Sequence, residues 1–233
     1  SGVLFKFVPK AQGGQLVLAA TDSYRLAEKL VSVISEKSTD IQDVVSIIVP
    51  ARTVGELSRI LSVFKDGIGN PEEIDVVISD NQILFAYNNA ELISRTIEGK
   101  YPDYRQLIPE RFATEAVLQK EELLRAVKTT SLFSRSGLND VHFQFATGAE
   151  QSVTLTAANS QTGEHSVSLP TVLTGKENSV TVNFKYFVDG VNTFDTDSIR
   201  MQLNDALSPC ILRQGGSGEG GGSYLYIVMP IRQ

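Results

Sequence analysis

The residues of this sequence that could perform chemistry do not combine into a recognisable reactive site. A glycine-rich run over residues 215–223 could cradle a phosphate, but no Lys-Ser or Lys-Thr pair follows it and it leads into a strand. A flexible hairpin loop is therefore favoured there. His142 and His165 stand in alternating segments without a second ligand at metal-binding spacing, which favours structural or surface histidines. We predict no metal site and no cofactor.

Two aspartate–arginine pairs, Asp22 with Arg25 and Asp103 with Arg105, could be interpreted as catalytic. Neither is accompanied by a nucleophile elbow, a serine with a base to activate it, or a cluster of metal-binding carboxylates. Asp103 directly follows Pro102, which favours a turn. We predict no catalytic residue, and an enzyme with an unrecognised site is the least favoured of three interpretations.

The end of the chain is its most unusual apolar segment. Leu225, Ile227 and Met229 alternate with Tyr224, Tyr226 and Val228, so both faces of the predicted strand are apolar. Pro230 has no backbone N–H, and it ends the strand. An apolar terminus frays unless other residues cover it, so this segment predicts the wall of a core, of a groove for a partner, or of both.

Composition indicates a globular chain of one or two domains. The chain has 233 residues, of which 42% are hydrophobic and 21% charged. No apolar run approaches the roughly 20 residues of a membrane span, and no secretory signal is visible. Cys210 is the single cysteine, and we predict that it is a reduced core residue, as is typical of a cytoplasmic protein. A net charge of −6 argues against wholesale coating of nucleic acid but allows a local basic surface.

The strand and helix signals recur in one order, namely a strand, a helix and three strands. The first round has a strand at 45–49, a helix at 51–64 and strands at 74–78, 82–87 and 91–97. The second has a strand at 114–118, a helix at 120–133 and strands at 141–146, 152–158 and 164–169. The third has a strand at 179–182, a helix over 184–194 and strands at 198–203, 208–213 and 223–229. Two such units, packed helix to helix with antiparallel sheets outside, would make one domain. The predicted fold class is therefore α+β.

The chain begins in the middle of such a unit. Strand signals at 3–7, 15–20 and 25–34 have no strand and helix before them, and the first residue is a serine. The simplest interpretation is a fragment whose upstream strand and helix are absent.

Three distant segments carry a family resemblance. Ala20-Thr-Asp-Ser-Tyr-Arg-Leu26, Tyr101-Pro-Asp-Tyr-Arg-Gln-Leu-Ile-Pro109 and Tyr226-Ile-Val-Met-Pro-Ile-Arg232 resemble the bacterial DNA polymerase III beta subunit, the replicative sliding clamp. The resemblance covers essentially the whole chain and implies the DNA clamp fold, with three similar domains in each protomer. By this comparison residues 1–112 resemble an incomplete second domain and residues 113–233 a complete third domain. The first domain is absent.

The resemblance implies a non-catalytic processivity factor of the bacterial cytoplasm. In the family, two protomers close a ring around duplex DNA, which is bound independently of sequence. The partners are the replicative polymerase, the clamp loader and other proteins that carry a clamp-binding peptide, and no membrane is involved. A fragment without the first domain is not expected to close the ring. The alternative is a β-rich peptide-binding scaffold without a role on DNA.

The family binds a short peptide, a glutamine followed by spaced leucine and phenylalanine, between its second and third domains. Matched position by position, the groove would use Thr21, Ser23, Tyr24, Arg25, Leu26, Pro102, Gln106, Leu107, Asn183, Tyr186, Pro209, Ile227, Val228, Met229, Pro230, Ile231 and Arg232. An extended peptide requires apolar sockets for alternate side chains and a few polar groups that fix its register.

Four departures from the family pattern leave the peptide affinity open. Gln106 stands where a basic residue is usual, and Pro209 stands where a small polar residue is common. The last residue, Gln233, replaces a frequent apolar one. An apolar residue just upstream of Ser1 is not in the chain.

The resemblance also assigns roles to two sets of helix residues. Arg52, Arg59, Arg125 and Lys128 would face DNA, although on the residues alone they form ordinary solvated faces with acidic neighbours such as Glu56, Glu121 and Asp189. Leu132 and Phe133 would form the third domain's side of the ring interface, whereas the pattern alone indicates core residues.

Overall fold

The computed structural model describes residues 2–10, 14–33, 43–64, 73–148, 150–216 and 224–232. These residues form sixteen strands, three α-helices and one short 3-10 helix. The chain divides into two compact units. The first consists of Ser1–Ala20 and Lys29–Pro102, and the second of Thr21–Glu28 and Asp103–Gln233. No helix in the described ranges is long and apolar enough to cross a membrane.

The first unit packs one helix against antiparallel strands. Its elements are β1 (Gly2–Pro9), β2 (Gly14–Thr21), β3 (Arg25–Val33, which begins in the second unit), β4 (Val45–Pro50), α1 (Ala51–Phe64), β5 (Asp75–Ile78), β6 (Gln82–Tyr87) and β7 (Ala90–Arg95). β1 lies between β2 and β4, and β6 lies between β5 and β7. The core contains Phe5 and Phe85, with ring centroids 5.9 Å apart, and Val54 and Leu57 of α1 pack against it.

The second unit contains two antiparallel sheets and two helices. Its elements are the 3-10 helix Tyr104–Leu107, β8 (Thr114–Gln119), α2 (Lys120–Ser131), β9 (Asp140–Ala146), β10 (Ser152–Asn159), β11 (Gly163–Pro170), β12 (Val172–Gly175), β13 (Asn178–Asn183), α3 (Phe184–Asn192), β14 (Ser198–Leu203), β15 (Cys210–Gln214) and β16 (Tyr224–Val228). One sheet has the order β11-β10-β9-β13, and the other contains β12-β8-β14-β15-β16. α2 and α3 contact each other, and both contact the sheets.

Both sheets and both helices of the second unit contribute to a single core. Phe143 of β9 and Phe187 of α3 are fully buried, with ring centroids 4.9 Å apart. Cys210 is a free, fully buried cysteine, so its prediction as a core residue is confirmed. Leu225 and Tyr226 are likewise buried, as are Ile227 and Val228, so the prediction that both faces of the last strand are covered is confirmed as well.

The predicted order of a strand, a helix and three strands is present in all three rounds. α2 ends at Ser131 rather than at residue 133 because the next two amides donate to the carbonyls of Thr129 and Thr130, three residues back, which tightens the last turn. β15 begins at Cys210 rather than at residue 208 because Asp205 Oδ1 accepts from the amides of Leu207 and Ser208. These hydrogen bonds hold residues 205–208 in a turn.

The strand β12 was not predicted. It pairs with β8, with Val172 opposite Val117. The side-chain Nε2 of Gln151 donates to the carbonyl of Leu173, and Gln151 Oε1 accepts from the amide of Leu173. Residue 34, residues 217–223 of the glycine-rich run, and Gln233 lie outside the described residues.

Candidate functional site

The first site segment is a turn that is fixed by its own side chains. Asp22 Oδ1 accepts from the amides of Tyr24 at 3.1 Å and Arg25 at 3.0 Å, which is an Asx turn. The Thr21 hydroxyl donates to the carbonyl of Arg25 at 2.8 Å. Ser23 lies in the left-handed region with φ 75°, which such a tight reversal requires. The turn leaves the side chain of Tyr24 62% exposed.

Arg25 is held between two carboxylates and a ring. Its Nη1 lies 2.6 Å from Asp189 Oδ2, its Nε lies 3.0 Å from Asp22 Oδ2, and its guanidinium carbon lies 4.7 Å from the centre of the Tyr186 ring. The hydrogen bond with Asp189 is the main reason that the pKa of Arg25 is raised further above its ordinary value. Burial alone would raise the pKa of Asp22, but the hydrogen bonds that it accepts from Arg25 and Tyr24 lower it overall.

Two further tyrosines complete this arrangement. The rings of Tyr24 and Tyr186 stack with centroids 6.0 Å apart and an angle of 23° between their planes. The hydroxyl of Tyr226 donates to the carbonyl of Tyr186 at 3.0 Å, and burial raises the pKa of Tyr226 to about 12. A Cβ at Gly190 would lie 2.3 Å from the Tyr226 ring, so only glycine lets the helix approach this closely. We call Asp22, Tyr24, Arg25, Tyr186, Asp189 and Tyr226 the Arg25 cluster.

The C-terminal tail runs beside this cluster. The amide of Met229 donates to the carbonyl of Tyr24 at 2.9 Å, and the amide of Ile231 donates to the carbonyl of Thr181 in β13 at 2.8 Å. Pro230, between them, forms an isolated bridge with Val182. The tail is therefore pinned on both sides of its proline. Met229, Pro230 and Ile231 are half-buried, and Arg232 is exposed.

The segment that precedes β8 contributes one buried anchor. Tyr104 is buried and its hydroxyl donates to the carboxylate of Glu28, which is itself buried. Burial, together with this partner, raises the pKa of Tyr104. Two predicted groove residues follow on the 3-10 helix. The side-chain Nε2 of Gln106 donates to Asp103 Oδ2 at 2.8 Å, and Leu107 is 38% exposed.

The predicted groove residues are thus of four kinds. Tyr24, Arg25, Tyr186, Met229, Pro230 and Ile231 lie in or beside the Arg25 cluster, and Thr21 and Ser23 form its turn. Leu26, Ile227 and Val228 are at most 2% exposed, so they back the site and offer a ligand no surface. Asn183 caps α3, since its Oδ1 accepts from the amides of Lys185 and Tyr186. Gln106, Leu107, Pro209 and Arg232 also belong to the second unit, whereas Pro102 belongs to the first.

Two residues of this site escaped the sequence interpretation. Asp189 was treated as an acidic neighbour of helix cations, but its partner is Arg25. Asp189 follows Tyr186 by three residues, a spacing that places both side chains on one helix face. Gly190 lies within α3, where a glycine is less favourable than an alanine. A glycine at such a position was a signal that another group packs closely against the helix.

The predicted DNA-facing residues are all exposed on α1 and α2. Arg59 forms an ion pair with Glu56 at 2.5 Å, one helical turn away. Within the described ranges, Arg52, Arg125 and Lys128 have no carboxylate within 4.0 Å. Among the described residues, three of the four cations thus have no carboxylate partner that an anion would have to displace.

The residues after α2 differ from each other in burial. Leu132 is 72% exposed, so the interpretation of this residue as core is wrong. Phe133 is half-buried and stacks on His165, with centroids 5.5 Å apart. His165 Nδ1 lies 3.1 Å from the Thr130 hydroxyl, and His142 Nδ1 lies 3.0 Å from the hydroxyl of Thr181. Both histidines therefore hold structural hydrogen bonds. Among the described residues, no group of three or more His, Cys, Asp or Glu could hold a metal ion.

Solved structures identify the class of protein to which this fold belongs. The chain matches the DNA polymerase sliding clamp of Bacillus subtilis with a TM-score of 0.83 and 27% identity, over 100% of this chain and 56% of that one. The fold is therefore that of a sliding clamp.

The sequence then gives the family. Residues 1–103 match the DNA polymerase III beta subunit, central domain, and residues 105–232 match the DNA polymerase III beta subunit, C-terminal domain. The chain belongs to the DNA polymerase III beta subunit family.

Two curated relatives agree. The chain is 30% identical over 223 residues to the beta sliding clamp of Staphylococcus aureus, with 95% of this chain and 54% of the relative covered. It is 29% identical over 231 residues to the beta sliding clamp of Synechocystis sp., with 96% and 56% covered. The chain thus spans about half the length of the curated relatives that it matches.

Proposed function

We propose that this chain is the peptide-binding part of a processivity factor, a non-catalytic protein of the bacterial cytoplasm that tethers a replicative polymerase to duplex DNA. A tethered polymerase rebinds the primer end before it diffuses away, because its effective concentration there is high. The partners would be the polymerase, a clamp loader and other proteins that carry a clamp-binding peptide. The DNA would be encircled by a ring of two protomers.

The observation that carries this proposal is the tail pinned beside the Arg25 cluster. Met229 and Ile231 are half-buried and offer apolar surface, and the backbone of Met229 is bonded to Tyr24, which is 62% exposed. Met229 is flexible enough to adapt to different partners, whereas Pro230 is rigid. An apolar surface with a few fixed polar groups suits an extended peptide that carries alternate apolar side chains.

The exposed cations support the DNA-facing part of the proposal. A ring that slides requires phosphate contacts that are blind to sequence and weak enough to exchange. Arg125 and Lys128 on α2 are exposed and unpaired within the described residues, and so is Arg52 on α1. Arg59 would first have to exchange Glu56 for a phosphate.

The ring interface would use Leu132 and the outer edge of Phe133. An apolar side chain that is 72% exposed directly after a helix is suited to burial against a second protomer. The stack of the neighbouring Phe133 on His165 would hold Phe133 in place at this contact.

The test is a titration of a fluorescein-labelled peptide with the pattern Gln-Leu-x-Leu-Phe into the chain. Saturable binding is expected, and Met229→Ala is expected to weaken it about tenfold, equivalent to roughly 1.4 kcal/mol. A peptide of the same composition in scrambled order serves as the control. Equal affinity of the two peptides, or full affinity in the variant, would contradict the proposed groove.

The two other interpretations have their own tests. A β-rich scaffold without a DNA role is not favoured by the clamp relatives, and salt-dependent retention of duplex DNA by the ring form would separate the two functions.

Nucleotidyl transfer requires carboxylates that hold two metal ions, and the described residues contain no such cluster. Turnover by the purified chain in a screen of hydrolase and transferase substrates would contradict the non-catalytic assignment.

A further inference from the structure

We infer that Asp189 is a positioning residue of the peptide site, and that it acts by holding Arg25 against the ring of Tyr186. This inference rests on the proposed peptide-binding function and adds to it a residue that lies outside the predicted groove. In this arrangement Arg25 is an internal brace of the site, and the partner peptide meets the tyrosine rings that Arg25 holds in place.

The geometry of Arg25 carries the inference. Its guanidinium faces Asp189 at 2.6 Å on one side and Asp22 at 3.0 Å on the other, so its charge is already matched by two carboxylates. The same group lies 4.7 Å from the centre of the Tyr186 ring. A cation placed between two carboxylates and a ring has little charge left to offer a peptide.

Asp189 and Tyr186 are neighbours on one face of α3. The carboxylate therefore holds the guanidinium over the ring of Tyr186. The ring of Tyr24 stacks on the same tyrosine, with its centroid 6.0 Å away. Tyr24 is 62% exposed and its carbonyl accepts the amide of Met229. One ion pair thus connects Asp189, through Arg25 and Tyr186, to Tyr24 and the tail.

An ordinary surface ion pair is the competing interpretation, since the side chain of Asp189 is 62% exposed. Such pairs contribute little to stability, and their loss changes nothing beyond the pair. The two roles therefore differ in what Asp189→Asn should change. If Asp189 positions the cluster, Asp189→Asn shifts the tyrosine rings and weakens peptide binding while stability stays nearly constant. If Asp189 only forms a surface ion pair, the variant changes neither the rings nor the affinity.

The experiment uses the full chain and two readouts. The first is the NMR spectrum of the chain labelled with 13C in its tyrosine rings, in which Tyr24 and Tyr186 are compared with Tyr87 of the first unit. The second is the affinity for the fluorescein-labelled Gln-Leu-x-Leu-Phe peptide. Asp195→Asn, which removes another exposed carboxylate shortly after α3, is the matched control.

In Asp189→Asn we expect shifted ring resonances of Tyr24 and Tyr186, unshifted ones of Tyr87, and about fivefold weaker peptide binding. Arg25→Lys is expected to weaken binding similarly, because an ammonium cannot both fork to two carboxylates and stack on a ring. Adding Asp189→Asn to Arg25→Lys should then weaken binding little further, since both remove one interaction.

Unmoved tyrosine resonances in Asp189→Asn would overturn the inference, whatever the peptide does. Equal or tighter peptide binding in that variant would also overturn it, because a freed Arg25 would then be the group that recognises the peptide. If the unmodified chain binds no peptide, the proposed function fails. The ring resonances still decide whether Asp189 positions the cluster.

Discussion

The backbone amide of Met229 donates a hydrogen bond of 2.9 Å to the carbonyl of Tyr24. The bond joins the tail of the chain to a turn near its beginning, and both segments belong to the second unit. The turn is itself fixed by Asp22, and the tail is held a second time where the amide of Ile231 donates to the carbonyl of Thr181. This edge of the site is therefore held by hydrogen bonds within the chain itself.

Gly190→Ala is expected to destabilise the second unit by roughly 1–3 kcal/mol, because the new Cβ would overlap the ring of Tyr226. The measurement is the urea concentration at which Cys210, the single and fully buried cysteine, becomes open to thiol labelling. The matched control is Gly55→Ala in α1, where a Cβ meets nothing within 4 Å. The control should not lower this midpoint, and a midpoint unchanged in Gly190→Ala would contradict the close contact.

Stability of the second unit is expected to fall above about pH 9. Burial raises the pKa of Cys210 from 9.0 to about 12 and that of Tyr226 from 10.0 to about 12. The unfolded chain therefore releases protons that the folded chain retains, which favours unfolding as the pH rises from 9 toward 12. The slope is at most about 1.4 kcal/mol per pH unit for each group.

The check is urea unfolding followed by circular dichroism at pH 8, 9 and 10. Cys210→Ala should show a shallower loss between pH 9 and 10 than the unmodified chain, whatever its stability at pH 8. Parallel pH profiles of the two proteins would show that the buried thiol does not contribute.

Asp140→Asn is expected to destabilise the second unit by about 1.5–3 kcal/mol, the usual contribution of a hydrogen bond to a charged group. The Asp140 carboxylate accepts from the amide of Arg135 at 3.0 Å and from its guanidinium at 2.5 and 2.8 Å. Burial would raise the pKa of Asp140, but these hydrogen bonds lower it overall. Its stabilisation is therefore present above the ordinary value of 3.8 and is lost as the pH falls below it.

The measurement for this pair is the urea midpoint at pH 6 and at pH 3. The difference between Asp140→Asn and the unmodified chain should shrink at the lower pH. A constant difference would mean that the charge of Asp140 is not the stabilising feature.

Leu132→Lys is expected to change the free energy of unfolding by no more than about 0.5 kcal/mol, because the side chain is 72% exposed. Phe133→Ala should cost about 1 kcal/mol or more, since it removes the stack on His165. Thermal unfolding of the two variants provides the comparison. An equal loss in both would indicate that Leu132 packs in the folded chain and is not available to a second protomer.

The order of elements was predictable because alternation and helical spacing are local signals. α1 begins and ends as its apolar spacing predicts, at Ala51 and Phe64. The strand β12 is short and follows Pro170, and its partners are β8 and the side chain of Gln151. No local pattern identifies a strand that depends on contacts so distant in sequence.

The motifs predicted which segments contribute to the site, but not which contacts each side chain makes. The family pattern named Leu26 and Ile227 as groove residues, yet both are buried, since a motif records position and not exposure. Asn183 was expected to contact a peptide, and no sequence signal was used to predict that its side-chain oxygen caps α3. Asp189 was missed because its partner, Arg25, is brought to it only by the tertiary fold.

The segment Thr21–Glu28 belongs to the second unit, although the residues on either side of it belong to the first. The chain therefore passes between the units three times, and no single cut divides it into two intact pieces. A chain that began at Asp103 would lack the turn at Asp22, the ring of Tyr24, Arg25, and the partner of the Tyr104 hydroxyl. The proposed peptide site therefore depends on residues from both halves of the sequence. Exchange of a C-terminal half between relatives would combine a tail and a turn of different ancestry.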